Sequence, residues 1–294
     1  MCFAREVRMS ARNLLLAFLL LTLAGFTNRP ARAEEPVPSK ALYNTFSDEE
    51  EMSMGREAAQ DVEKKYTILN DAALEPYLQD VGRRVAEASR RPKLDYHFKV
   101  VDTSAVNAFS LPGGYVYVDR GLLDFVGTES ELVGVLAHEV GHVVAYHSMN
   151  DVARRWLVDR LVYEGQKAGL MSDQQIHDML QQYGGAALLF VNRKFNREEE
   201  NEADLLGLYN TERAGWDPEG LVTFLNQLTE FGADRDIVKL LLRRHPLPEE
   251  RVETLKNELK QHPSPAGLKR NSSAFRRVKE QLKLLPPSPP PPAE

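Results

Sequence analysis

The stretch that most constrains this chain is the apolar segment from Val135 to Tyr146. It carries the pattern H-E-x-x-H at His138, Glu139 and His142. Residues four apart on an α-helix leave nearly the same side, about 6 Å apart along the axis, so both imidazoles can bind one metal ion. Zinc hydrolases combine two such neutral histidines with a carboxylate that moves protons. The segment therefore predicts a zinc hydrolase site.

The sequence around this pattern favours a buried helix. Apolar residues recur at helical spacing from Leu132 to Val144, and no proline interrupts them. Thr128 with Glu131 three residues later is typical of a capping box at a helix start. Two histidines and a glutamate placed by chance in so apolar a helix would be costly to bury. This context favours a metal site over a chance match.

Residues 1–33 have the organisation of a secretory signal peptide. Three arginines precede the apolar run Leu14–Phe26, and Ala31-Arg32-Ala33 forms an A-x-A cleavage site. An uncleaved membrane anchor is the alternative, but the run is short for a membrane span. Cys2, the only cysteine, falls within this segment, so the mature chain would hold a metal with histidines and carboxylates alone. We expect export to a bacterial periplasm.

Composition limits the domain organisation and the partners. With 294 residues and 43% hydrophobic content, the chain can form one sizeable domain with appendages. We expect a signal peptide over residues 1–33, a linker over 34–45, a main domain over 46–260, and a basic helix with a proline-rich tail over 261–294. That tail is predicted to be disordered or polyproline-like. The net charge of −6 gives no electrostatic reason to bind nucleic acid.

The periodicities predict an α+β fold that is mainly helical. Alternating apolar residues predict a strand from Tyr96 to Val101, and a second strand from Tyr115 to Val118 follows the turn at Pro112-Gly113-Gly114. We expect a small sheet or hairpin flanking the helix that carries His138. An exposed edge of this hairpin could hold an extended substrate by strand addition.

An acidic run within a later helix has two interpretations. Glu200, Ala203, Asp204 and Gly207 share one helix face, where the small residues allow a close neighbour. A solvated charged surface is the usual structure of such runs. Packed carboxylates would instead need a positive partner, which a metal with its histidines supplies. Spacing alone leaves both interpretations open. By contrast, His147 falls on nearly the opposite helix side from His142 and is interpreted as structural.

Two histidines leave zinc short of a third protein ligand. Ala145 and Ser148 stand where the metzincin extension has glycine and histidine, so this ligand must come from a distant part of the chain. Here the chain resembles the M48 family of zinc metallopeptidases. The resemblance rests on Asn107-Ala-Phe-Ser-Leu-Pro-Gly-Gly114, His138-Glu-x-x-His142, Arg197-x-x-Glu200-x-x-Ala-Asp204, and His245-Pro with Arg251.

The resemblance implies a zincin-type domain and roles for distant residues. It implies Glu200 as the third zinc ligand and Asp204 as the partner that orients a ligand histidine. It implies that Asn107 holds the substrate backbone. It also implies that His245 and Arg251 lie over the active site and contact transition-state charge. One zinc ion per chain and Glu139 as the catalytic base complete this prediction.

The function implied is an endopeptidase that cleaves misfolded or mislocalised envelope proteins. The alternative is a latent or chaperone-like zinc protein in which His245 blocks the metal. Polypeptides are the expected substrates, and peripheral association with the membrane or with outer-membrane assembly machinery is a further prediction. Unlike many exported relatives, the chain shows no helical repeats after the main domain.

Overall fold

The computed structural model describes residues 40–41, 44–168, 172, 174, 194–231, 236–246 and 249–291. The predicted signal peptide and most of the predicted linker lie outside these residues. The described part is mainly helical with one three-stranded sheet, which confirms the predicted α+β class. No helix in that part combines the length and apolar character needed to cross a bilayer.

The sheet contains strands β1 (His97–Val101), β2 (Ala108–Ser110) and β3 (Tyr115–Asp119) in the order β1-β3-β2. β2 and β3 are antiparallel and form the predicted hairpin, whereas β1 runs parallel to β3. The turn over Pro112–Gly114 requires a positive φ at Gly113 and Gly114, at 72° and 89°. Glycine adopts this conformation without steric cost.

Helices cover both faces of the sheet. Helix α1 (Asp48–Lys65) begins with a complete capping box between Ser47 and Glu50. It packs its small apolar side chains against Phe109 and Tyr117. Helix α2 (Leu74–Glu87) packs against the opposite face of the sheet in the larger core cluster. The short helix α3 (Arg120–Phe125) follows β3 directly.

Helix α4 (Glu129–Val144) is buried along its whole length. Thr128 Oγ1 accepts a hydrogen bond from Glu131 N, as the capping pattern predicts. The reciprocal bond differs, because the Glu131 carboxylate accepts from Gly127 N and from Thr128 Oγ1 rather than from the backbone N of Thr128. Helix α5 (His147–Lys167) follows after Tyr146, whose φ of 57° reverses the chain direction.

The remaining described helices are α6 (Arg197–Arg213), α7 (Glu219–Phe231), α8 (Asp236–Arg244), α9 (Glu249–Gln261) and α10 (Ser273–Leu284). α6 crosses α4 with its backbone in contact. A Cβ added to Gly141 would lie 2.8 Å from Ala203 O, and one added to Gly207 would lie 2.9 Å from His138 N. These glycines bring the acidic run of α6 up to the histidines of α4.

The C-terminal segment packs on the same core. Phe275, Val278 and Leu282 of α10 are buried in the larger cluster. Lys279 Nζ donates to the carbonyl oxygens of residues 123, 124 and 126 at the end of α3.

The start of the proline-rich tail is held in place. Ser104 N donates to Pro289 O at 2.7 Å, and Arg120 donates to Ser288 Oγ and to Pro286 O. Of the two states predicted for the tail, disorder does not fit these contacts of residues 286–289, and the polyproline-like state stays a prediction.

Candidate metal centre

Two imidazoles of α4 project into one buried space. His138 is 5% exposed and His142 is 1% exposed. Their Nε2 atoms lie 3.0 Å apart, with the two rings perpendicular. Both rings leave the same helix face, as the spacing of four predicts.

Two further side chains enter the same space from distant parts of the chain. Glu200 of α6 places Oε1 3.5 Å from His142 Nε2 and Oε2 3.7 Å from His138 Nε2. His245, directly after α8, places Nδ1 2.9 Å from Glu200 Oε1 and 3.2 Å from His138 Nε2. One donor atom from each of the four residues lies within 4.8 Å of the other three.

The chemistry of this donor set fits one zinc ion. Imidazole nitrogens and a carboxylate oxygen are the ligands that zinc takes where no thiolate is present. All four side chains are buried, and buried nitrogen lone pairs facing one another are unfavourable without a shared partner. A cation at their centre supplies that partner. The packed arrangement also decides between the two interpretations of the acidic run, because Glu200 faces the histidines rather than solvent.

Asp204 and Arg251 support the cluster from behind. His138 Nδ1 lies 2.8 Å from Asp204 Oδ1. Arg251 donates from Nε and Nη2 to Asp204 at 2.7 Å each, and its Nη1 lies 2.6 Å from Glu200 Oε2. The guanidinium therefore bridges two carboxylates, and its Nη1 also donates to Pro246 O. The predicted contact of Arg251 with transition-state charge stays a prediction.

These contacts keep both carboxylates ionised. Burial opposes ionisation of Glu200, but electrostatic attraction by His245 and Arg251 and hydrogen bonds to the histidines outweigh it and hold its pKa well below the ordinary value. Burial likewise opposes ionisation of Asp204, and Arg251 with His138 lowers its pKa. The ionised Glu200 carboxylate therefore faces the imidazoles of the cluster, in the form in which a carboxylate binds a metal ion.

Glu139 lies next to the cluster and outside its donor set. Its Oε2 accepts a hydrogen bond from Ser110 Oγ at 2.9 Å, and its Oε1 lies 3.4 Å from His245 Nε2. Ser110 ends β2, so the sheet fixes the orientation of this carboxylate. The sequence indicated Ser110 only as part of the longer motif from Asn107 to Gly114.

Asn107 is 1% exposed and immediately precedes β2. Its backbone oxygen accepts from Asp119 N at 2.9 Å, and its side chain hydrogen-bonds the Asp119 carboxyl. Burial raises the pKa of that carboxyl to about 7. The predicted role of Asn107 in holding the substrate backbone stays a prediction.

His147 and Phe195 contact the far side of His142. His147 Nδ1 lies 2.8 Å from His142 Nδ1, and Phe195 stacks on the His142 ring at 3.8 Å between centroids. The sequence placed His147 on the opposite helix side, which is wrong. α4 ends at Val144, and the left-handed backbone of Tyr146 turns the chain back toward the site. No sequence pattern indicated this reversal.

The family model described as Peptidase family M48 matches residues 72–259. The chain belongs to peptidase family M48. The matched region contains every donor of the cluster as well as Glu139, Asp204 and Arg251. The resemblance stated from the motifs is thus confirmed.

Several M48 relatives cover most of the chain. This chain is 28% identical over 225 residues to the beta-barrel assembly-enhancing protease of Escherichia coli (strain K12). The aligned region covers 74% of this chain and 45% of that protein. It is 27% identical to the protein of the same name from Yersinia pestis, over 85% of this chain and 54% of that protein. The mitochondrial metalloendopeptidase OMA1 of Schizosaccharomyces pombe is 28% identical over 81% of this chain and 68% of that protein. The chain spans about half the length of the two bacterial relatives.

Proposed function

We propose that this chain is a zinc-dependent endopeptidase. The observation that carries the proposal is the buried set of four donor atoms beside Glu139, whose carboxylate is oriented by Ser110. In this proposal His138, His142 and Glu200 hold the zinc ion. Asp204 orients His138 through Nδ1, and Arg251 holds the carboxylates of Glu200 and Asp204 in place.

The residues of the chain divide the remaining work. Bound zinc would acidify water and polarise the scissile carbonyl. Glu139 accepts the proton of the attacking water and passes it to the leaving amine. Ser110 keeps one carboxylate oxygen occupied, so that the other faces the cluster. Stabilisation of the oxyanion by His245 or Arg251 is part of this proposal.

His245 also supports a latent state of the enzyme. Its Nδ1 lies as close to Glu200 and His138 as a fourth ligand would. A catalytic zinc site keeps one position open for water or substrate. We therefore infer that His245 must withdraw before cleavage, and that a zinc protein permanently blocked in this way is the second candidate function.

The bacterial envelope is the proposed location, and its misfolded or mislocalised proteins are the proposed substrates. Support comes from the names of the bacterial relatives and from the predicted signal peptide. Peripheral association with the membrane or with outer-membrane assembly machinery is part of the same proposal.

The proposal is tested by zinc content and casein cleavage of the wild type, Glu139→Gln and His245→Ala. We expect one zinc per chain in the wild type and in Glu139→Gln, since Glu139 is not a ligand. Loss of the general base should lower cleavage by about 10²–10⁴-fold. His245→Ala should still bind zinc. Cleavage faster than that of the wild type would show that His245 blocks the metal, whereas slower cleavage would show that His245 stabilises the oxyanion.

His262→Ala is the matched control for His245→Ala. His262 Nδ1 also lies beside a glutamate, 3.0 Å from Glu258 Oε1, but outside the cluster. Its removal should leave cleavage unchanged. Equal cleavage by the wild type and Glu139→Gln would refute the proposed endopeptidase activity. An inactive wild type with an active His245→Ala would favour a latent enzyme. Inactivity of the wild type, Glu139→Gln and His245→Ala, with aggregation of client proteins suppressed, would favour a chaperone-like zinc protein.

A further inference from the structure

A series of polar contacts leads from the cluster, through His142, toward the protein surface. His142 Nδ1 lies 2.8 Å from His147 Nδ1, and His147 Nε2 lies 3.2 Å from Glu202 Oε2. The His147 side chain is 4% exposed and that of Glu202 is 33% exposed. The contacts therefore run from the buried cluster to the protein surface.

The Glu202 carboxylate, at the end of this series of contacts, fixes which nitrogen atoms of His147 and His142 carry a proton. An ionised carboxylate only accepts hydrogen bonds, so His147 Nε2 must carry the proton that faces Glu202. A neutral His147 then has a lone pair on Nδ1. Two nitrogen atoms 2.8 Å apart need one proton between them, so His142 Nδ1 must carry it.

This arrangement leaves the lone pair of His142 on Nε2, the atom that faces His138 and Glu200. A metal-binding imidazole needs such a bare nitrogen, and the partner of the other nitrogen sets both the tautomer and the ring orientation. Asp204 acts on His138 directly. His142 has no carboxylate within the described hydrogen bonds of its Nδ1, and His147 occupies that position.

We propose that His147 is a positioning residue that selects the metal-binding tautomer of His142 and is itself oriented by Glu202. This inference rests on the proposed zinc site. It assigns a function to a histidine outside the H-E-x-x-H pattern and to Glu202, which lies in the acidic run between Glu200 and Asp204. Phe195, stacked on the His142 ring, limits the ring to this orientation.

The test compares zinc affinity by chelator competition in His147→Leu and His147→Asn. Leucine keeps similar volume but accepts no hydrogen bond, so zinc binding should weaken about 10–100-fold. Asparagine places Oδ1 near the former Nδ1 and can accept from His142, so its affinity should stay within about threefold of the wild type. The absorption bands of the Co²⁺-substituted protein should shift in the leucine variant and be retained in the asparagine variant.

Two further variants make the outcome decisive. His262→Leu removes a comparable histidine–glutamate pair away from the cluster and should keep wild-type zinc affinity. Glu202→Ala changes a partly exposed side chain and should weaken zinc binding about tenfold. It decides the matter if His147→Leu fails to fold, as judged by circular dichroism.

The inference is overturned if folded His147→Leu binds zinc within twofold of the wild type, or if His147→Asn is as weak as His147→Leu. Unchanged zinc affinity in Glu202→Ala overturns the role of the carboxylate. A wild-type chain that binds no zinc refutes both this inference and the proposed function. Wild-type zinc binding with an unaltered His147→Leu refutes this inference alone.

Discussion

Two buried carboxyl groups behave in opposite ways because their neighbours differ. Glu200 is attracted electrostatically by His245 and Arg251, which hold its pKa well below the ordinary value despite its burial. Burial opposes ionisation of Asp119 more strongly than its hydrogen bonds to Asn107 and Thr103 and the charge of Arg244 favour it, so its pKa rises to about 7. The metal centre is therefore charged at neutral pH, whereas the carboxyl beneath β2 titrates there.

Asp119 should make stability depend on pH. Its pKa is raised in the folded state above the value of about 3.9 expected for the unfolded chain. The folded state then binds more protons between these values, so its stability falls as pH rises toward 7. The asparagine of Asp119→Asn cannot ionise. Its free energy of unfolding, taken relative to that of the wild type, should therefore rise by about 2 kcal/mol from about pH 5 to about pH 8. Urea unfolding at both pH values measures this change.

Asp61→Asn is the control, since Asp61 lies on the surface beside Lys64. It should follow the wild type at both pH values. A parallel pH dependence of Asp119→Asn and the wild type would show that Asp119 is already ionised in the folded state.

Among the elements, the crossing of α4 and α6 determines the geometry of the site. The helical spacing of His138 and His142 predicted that both rings reach one metal ion. Glu200 was predicted as a ligand only through the resemblance to the M48 family, because spacing alone left the acidic run open. The crossing itself was not predicted, since helix contacts depend on tertiary packing. Ser110 and His147 were missed for the same reason, as each reaches the site through a chain reversal or a strand end.

Gly207→Ala should separate the two helices. A Cβ at this position would lie 2.9 Å from His138 N and 3.1 Å from its Cα, both rigid backbone atoms. Overpacking of this kind costs about 1–3 kcal/mol, which exceeds the helix propensity that alanine gains over glycine. Both thermal stability and zinc affinity should fall, measured by calorimetry and chelator competition.

Gly127→Ala is the matched control. A Cβ there would meet only the Glu131 carboxylate oxygens at 3.7 Å, which is ordinary contact. Its stability and zinc affinity should stay close to those of the wild type. Gly207→Ala that behaves like this control would show that the crossing yields to an added methyl group.

For the molecule as a whole, the C-terminal segment is bound to the start of the active-site helix. Buried Glu129 at the first position of α4 accepts hydrogen bonds from Tyr77, Trp216 and Ser272. Glu129 N also donates to Asn271 Oδ1. The sequence predicted α10 as a basic helix but not its packing, because its buried stripe is short and its partners lie over a hundred residues away. The domain end at residue 260 stays a prediction.

Truncation after residue 270 tests that boundary. It removes Phe275, Val278 and Leu282, whose burial contributes about 5–9 kcal/mol as an upper estimate. This is comparable to the whole stability of a typical domain, about 5–15 kcal/mol. We expect loss of cooperative thermal unfolding, measured by circular dichroism, whereas removal of residues 292–294 should change little. A truncated chain that unfolds cooperatively near the wild-type temperature would place the domain end before α10.

The position of His245 among the other three donors has a pharmacological consequence. A chelating inhibitor, such as a hydroxamate, would have to take the space that the His245 ring occupies beside Glu200. In the proposed latent state, the His245 ring competes with such a compound, whose measured potency falls as the fraction of molecules with the ring in place rises. Compounds screened against the wild type alone would therefore be ranked partly by their ability to displace a side chain.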